Sequence, residues 1–203
     1  MSHFTYEFEG KSTELETYEW DNVWWEQTNK NNISRVLYIG DSISCATRRI
    51  ATSSSEGRML FDGFGTSKAL DNPYLLDSIR LFAKQQGCRD AVLFNNGLHG
   101  WHLDDEQYAY YYEKTVKFLL DEFKGTPIFI VLTTSVSDTE REQRVRRRNE
   151  VATEIAGKYG LSIIDLYSIS LDFSEMHTDG VHFNDDGYKK FAEQIIYDLK
   201  SSI

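Results

Sequence analysis

From residue 34 onward, short apolar runs alternate with longer segments of helical periodicity. Arg35–Ile39, Ala91–Asn95, Pro127–Thr133 and Leu161–Leu166 are apolar stretches of strand length, and Arg58–Phe61 adds a shorter one. Strands covered by helices on both faces read as continuous apolar runs rather than as alternating ones. Between them, Ile43–Thr52, Pro73–Gln86, Asp105–Phe123, Thr139–Tyr159 and Asp185–Lys200 are the expected helices. Gly87, Gly125 and Gly160 stand just beyond three of these, where a helix C-terminus favours glycine. Asn184 is placed to cap the last helix, with Asp185 and Asp186 in its first turn. Ser53–Gly57 and Asp62–Thr66 read as loops. The alternation implies βαβ units with right-handed crossovers, hence five parallel strands in a three-layer α/β/α sandwich.

Residues 1–33 follow a different pattern, rich in Glu, Thr, Asn and aromatics, with Trp20, Trp24 and Trp25 close together. They are expected to form an N-terminal arm packed on a domain spanning 34–203. The tryptophans then serve as packing against that domain, with stacking on a sugar ring as the alternative.

A chain of 203 residues is long enough to bury a substantial core as one domain. No apolar run approaches the roughly 20 residues needed to cross a bilayer. The stretch Met1–Glu9 lacks a basic start and an apolar core, so no secretion signal is read there and the cytoplasm is the expected compartment. A net charge of −10 disfavours nonspecific binding to nucleic acid or anionic membrane, and neither is an expected partner. Cys45 and Cys88 are too few for a disulfide framework, lack a zinc-ligand spacing, and read as buried thiols.

The stretch Val36–Ser44 joins an apolar strand to Gly40-Asp41-Ser42 and then to a helix. This delivers a serine to the carboxyl end of a sheet strand, where open α/β sheets bind their ligands. A serine hydroxyl is a weak nucleophile without a base and an orienting group. His177–Phe183 supplies both: Asp179 can accept from one imidazole nitrogen of His182, leaving the other to face Ser42. The order Ser, Asp, His matches α/β-hydrolases. The absent second glycine of G-x-S-x-G and the closeness of Asp179 to His182 do not.

Gly40-Asp41-Ser42 with Asp179-x-x-His182 resembles the SGNH/GDSL hydrolases, from about Arg35 to the C-terminus. The resemblance implies a flavodoxin-like sheet, a Ser42–His182–Asp179 triad and an ester substrate, with no cofactor. It also implies an oxyanion hole built from the Ser42 backbone N–H, a glycine after the second strand and an asparagine. Gly63 and Gly65 are the candidate glycines, with Gly65 favoured. The family's Gly-x-Asn-Asp block is replaced by Asn95-Asn96-Gly97-Leu98-His99, so Asn95 or His99 is the expected side-chain donor, with Asn95 ranked first. The implied substrate is a small-molecule or carbohydrate ester, with acetylated carbohydrates preferred. Oligomeric state is not set by the sequence.

Two other readings compete. His99 and His102, near Asp104 and Asp105 and joined by Asp179 and His182, can be read as a metal-dependent hydrolase site. The altered asparagine block also allows a noncatalytic ligand-binding member of the fold. Arg141, Arg144, Arg146, Arg147 and Arg148 interleave with Glu140, Glu142 and Glu150 and read as a solvated, ion-paired helix face. Arg48 is expected to reach the pocket rim. Tyr108, Tyr110, Tyr111 and Tyr112 occupy several faces of one helix, so some must be exposed.

Overall fold

A computed structural model describes residues 18–200 in full, and before them the backbone of two short strands, β1 (Thr5–Phe8) and β2 (Lys11–Glu14), which pair antiparallel. The rest of the expected N-terminal arm up to residue 17 lies outside the described residues. Among the described residues the main sheet has six strands: β3 (Asp21–Trp24), β4 (Ser34–Gly40), β5 (Met59–Thr66), β6 (Ala91–Phe94), β7 (Ile128–Val131) and β8 (Ser162–Ile164). Their spatial order is β3-β5-β4-β6-β7-β8. All neighbours are parallel except β3, which runs antiparallel along β5 at the edge. The chain steps from β4 outward to β5 and then back across to β6, so the order reverses at β4. The crevice beyond the carboxyl end of such a strand is the usual ligand site of an open α/β sheet.

Among the described residues, six helices cover this sheet: α1 (Ser42–Ser54), α2 (Leu75–Gln86), α3 (Asp105–Glu122), α4 (Thr139–Tyr159), α5 (Leu166–Leu171) and α6 (Asp185–Leu199). Alternate side chains of β4 enter two cores. Val36 and Tyr38 join α1, α5 and α6 residues such as Ala51, Leu166 and Phe191. Leu37 and Ile39 join α2, α3 and α4 residues such as Ile79, Val116 and Ile155. This is the expected three-layer sandwich, and it places α1 and α6, which flank the two ends of the chemistry, on one face. No helix among the described residues is long and apolar enough to cross a membrane.

The sheet differs from the expected one in two strands. The segment Asp62–Thr66, expected as a loop, is the second half of β5, hydrogen-bonded between β4 and β3. Its glycines mark close approaches, as strand glycines commonly do. A Cβ on Gly63 would stand 2.3 Å from Nη1 of Arg48, and one on Gly65 2.2 Å from Sγ of Cys45. The sixth strand, β3, comes from the tryptophan-rich segment. Trp25 beside it stacks on Phe82 at 4.9 Å, while Arg49 covers Trp24 at 4.7 Å. Arg48 is buried against Gly63 and bonds the side chain and backbone oxygens of Asn22, so it ties β3 to α1 instead of reaching the pocket rim.

Asp62 is fully buried in β5 and gathers three elements. It accepts from Nη1 of Arg35 on β4, from the backbone N–H of Glu26 after β3, and from Nε2 of Gln86 at the end of α2. Removing one partner of a buried ion pair leaves the other charge unpaired and costs about 3–5 kcal/mol. Asp62→Ala is therefore expected to lower unfolding free energy by about 3–5 kcal/mol in urea titrations. A loss below about 1 kcal/mol, the exposed-pair range, would contradict this placement.

Candidate active site

Strand β4 ends at Gly40, and the chain turns at once into α1. A Cβ on Gly40 would lie 2.8 Å from Cβ of Ser44, so the tight turn needs glycine there. Asp41 caps α1: its Oδ1 accepts from the Ile43 backbone N–H at 2.9 Å. Burial pushes this carboxyl up, opposed by the nearby His99 and by bonds from the Ile43 and Ser44 backbone. Ser42 is the first residue of α1 and half-buried, and its backbone N–H is one of those a helix N-terminus leaves without an intrahelical acceptor.

The candidate base arrives from the other end of the chain. Nε2 of His182 lies 2.8 Å from Oγ of Ser42, and Nδ1 of His182 lies 2.8 Å from Oδ2 of Asp179. A carboxylate can only accept here, so Nδ1 carries the proton and Nε2 accepts from the serine hydroxyl. Oδ1 of Asp179 accepts from the backbone N–H groups of His182 and Val181, at 2.8 and 3.0 Å. Those two backbone bonds and the imidazole bond hold the Asp179 carboxyl well below the usual carboxylate range, with the His182 backbone bond the largest cause. The carboxylate thus orients the ring and carries a charge where an imidazolium would form.

The loop itself is held at both ends. His177 pairs with Phe183 across it, Thr178 N–H donates to the His182 carbonyl, and Asn184 caps α6 by accepting from Gly187 N–H. Ser137 N–H donates to the carbonyl of Gly180, whose φ of 86° suits glycine. The ring nitrogens of His177 lie 2.9 Å from the Ser174 carbonyl and 3.0 Å from the Ser135 carbonyl. His177 therefore fastens this loop to the segment following β7.

The expected oxyanion groups have unequal placements. Gly65, at the end of β5, is beside the serine turn: the position of its Cβ would lie 3.4 Å from the Asp41 carbonyl oxygen. Gly63 packs on Arg48 instead. Asn95 does not aim its amide at Ser42. It donates to the Val131 carbonyl at 2.8 Å and to Oγ1 of Thr133 at 2.9 Å, because both acceptors sit on the β7 side of the seam. Asn96 donates to the Lys68 carbonyl. His99 meets the Trp20 ring edge-on, with centroids 6.0 Å apart. Of the two side-chain donors expected, Asn95 has both amide hydrogens committed on the β7 side, while His99 stands beside Trp20.

The four residues of the metal reading do not converge. His102 pairs with Asp71 at 3.0 Å, while His182 is engaged with Ser42 through one ring nitrogen and with Asp179 through the other. Among the described residues, no three His, Cys, Asp or Glu side chains come together as a metal site. Cys45 is half-buried against Gly65, whereas Cys88 is exposed, contrary to the expectation for it.

The arginine run on α4 is not simply a solvated face. Arg148 is buried and donates to the carbonyls of Gly97, His99 and Gly100, all at 2.7–2.8 Å. Arg144 donates to those of Trp101 and Leu103. The Trp101 ring is covered by Arg141, Arg144 and Arg148. An irregular loop must satisfy its backbone carbonyls, and two guanidinium forks do this for residues 97–103. The signal was available in the i, i+4 spacing of Arg144 and Arg148, which places both on one helix face. Nothing in the sequence marked that face as the inner one.

Two outcomes follow. Arg148→Lys is expected to destabilise the fold by about 2–4 kcal/mol in urea, because one ammonium cannot span three carbonyls and some are left buried and unpaired. Wild-type stability would contradict this. An NMR titration of the Asp179 carboxyl carbon is expected to show no protonation step down to about pH 3, below the ordinary carboxylate value near 3.9. A depressed carboxyl stays ionised as pH falls through its ordinary value, so a midpoint near 4 would contradict the geometry.

No protein-family profile matches the chain, and no curated protein sequence matches it. Solved structures do. An acetyl xylan esterase superposes with a TM-score of 0.65 at 16% identity, covering 81% of this chain and 99% of that one. The C-terminal catalytic domain of peptidoglycan O-acetyltransferase A from Streptococcus pneumoniae gives 0.65 at 21% identity, covering 84% and 94%. A member of the lipolytic G-D-S-L family from Veillonella parvula gives 0.64 at 18%, covering 84% and 100%. With a mostly parallel six-stranded sheet between two helical layers and the GDS turn at the end of its central strand, the chain has the SGNH/GDSL hydrolase fold.

Proposed function

We propose that the protein is a serine ester hydrolase working through an acyl-enzyme, with short acyl esters, acetylated carbohydrates first among them, as substrates. The observation that carries this reading is the continuous chain from Oγ of Ser42 through His182 to Asp179, each link 2.8 Å. A pocket used only to hold a ligand has no need of this order. The acetyl preference draws on the similarity to an acetyl xylan esterase and to an O-acetyltransferase domain.

In this mechanism Oγ of Ser42 attacks the ester carbonyl carbon as Nε2 of His182 takes its proton. Asp179 holds Nδ1–H and balances the imidazolium. The carbonyl oxygen becomes an oxyanion, received by the Ser42 backbone N–H at the start of α1; Gly65 lies beside this turn, but its backbone is paired with Gly40 and Asn22 in the sheet. Loss of one such donor typically costs about 10²- to 10³-fold in rate. Collapse breaks the bond to the alcohol, which leaves with the proton from His182. Water then attacks the acyl carbon, giving its proton to His182. The second collapse releases the acid and returns the proton to Ser42.

Release of acetate from acetylated saccharides and from p-nitrophenyl acetate tests this. Ser42→Ala and His182→Ala are each expected to lower kcat by about 10⁴-fold or more, and the double variant little further, because the pair acts as a unit. Acetate release that survives Ser42→Ala would overturn the mechanism. A wild-type preference for long-chain esters would overturn the acetyl assignment.

A further inference from the structure

Trp20 belongs to the segment just before the antiparallel edge strand, yet it reaches the nucleophile turn. Its Cζ3 lies 3.6 Å from where a Gly65 Cβ would stand, and the Asp41 carbonyl oxygen lies 3.4 Å from the same point. Its ring meets His99 at 6.0 Å with an interplanar angle of 79°. The backbone of Trp20 is fixed: its N–H donates to Oγ of Ser67 at 2.8 Å, and its carbonyl accepts from the Ser67 N–H at 3.1 Å. Thr66 Oγ1 lies 3.3 Å from that carbonyl and donates to Oδ1 of Asp21 at 2.6 Å.

The two sides of Ser42 are thus built differently. The loop carrying His182 is fastened to Ser135 and Ser137, past β7. Trp20 is fastened to Ser67, just past β5. Strands β5 and β7 lie on opposite sides of β4. The chemistry assigns the two sides. His182 must give its proton to the departing oxygen, so the alcohol occupies the His182 side. Of the two substituents left on the tetrahedral carbon, the oxyanion turns to the Ser42 backbone N–H, which leaves the acyl chain for the side bounded by Trp20 and His99.

We propose that Trp20, backed by His99, closes the acyl side of the site and restricts the acyl group to about the size of acetyl. Trp20 is then a specificity-determining residue. It is an aromatic wall held by backbone bonds, so it does not yield to a longer chain. This rests on the serine-esterase reading.

The test is kcat/KM for p-nitrophenyl acetate, butyrate and hexanoate with wild type, Trp20→Ala, Trp20→Leu and Ser42→Ala. The readout is the hexanoate-to-acetate ratio, which a merely structural defect would not raise, since it lowers all esters together. Wild type is expected to favour acetate. Trp20→Ala is expected to raise the ratio by at least about tenfold, the scale of a methylene or more of pocket space. Trp20→Leu is expected to raise it less; it carries the test if the alanine variant fails to fold. An unchanged ratio in a folded Trp20 variant, with Ser42-dependent hydrolysis intact, would overturn the wall and leave the esterase reading standing. Absence of any Ser42-dependent hydrolysis in wild type would overturn both.

Discussion

The hydrogen bond between Oγ of Ser42 and Nε2 of His182 joins residues 140 positions apart, and much of the fold is arranged to permit it. Ser42 must sit at the mouth of a central strand, which the reversal of order at β4 provides. Helices α1 and α6 must share one face of the sheet, which the apolar set including Ala51, Phe191 and Ile195 secures. The short loop before α6 must then be stiff, because a 1 Å displacement of a reacting group can cost about 10²-fold in rate. Asp179 supplies much of that stiffness: one oxygen holds the loop backbone and the other holds the imidazole.

The irregular segments around this bond are fastened by charged or polar side chains rather than by apolar packing. Arg148 and Arg144 collect the carbonyls of residues 97–103, His177 links the loop before α6 to Ser135, and Asp62 gathers β3, β4 and α2. The reason is common to all three. Loops and strand ends leave backbone donors and acceptors that regular structure would have satisfied, and burying them unpaired is costly. Where the sheet brings such segments together near a crevice, a forked or bidentate group satisfies several at once.

The apolar runs of β4, β6 and β7 were legible because a doubly covered strand leaves a continuous hydrophobic signature. Helix α4 was legible to the residue, as Thr139–Tyr159, since Asp138 and Gly160 cap it. The serine, histidine and aspartate were legible because strand position and close spacing suffice to place them. The second half of β5 was not. Gly63 and Gly65 look like loop residues until Arg48 and Cys45 are seen to fill the space their missing side chains leave. Strand β3 was hidden by its polar composition, as an exposed edge strand often is. The direction of the Asn95 amide was not legible, because a strand-end asparagine can turn it toward either neighbour, and the Val131 carbonyl decides which. The inward turn of Arg148 depends on a loop conformation that no periodicity records.

The central claim is that Ser42 is an activated nucleophile. Intact-protein mass spectrometry after exposure to a fluorophosphonate tests it most directly, using wild type, Ser42→Ala and His182→Ala. The account predicts a single adduct on wild type, none on Ser42→Ala and much less on His182→Ala. A folded wild type that takes up no adduct, or an adduct that persists in Ser42→Ala, would contradict it.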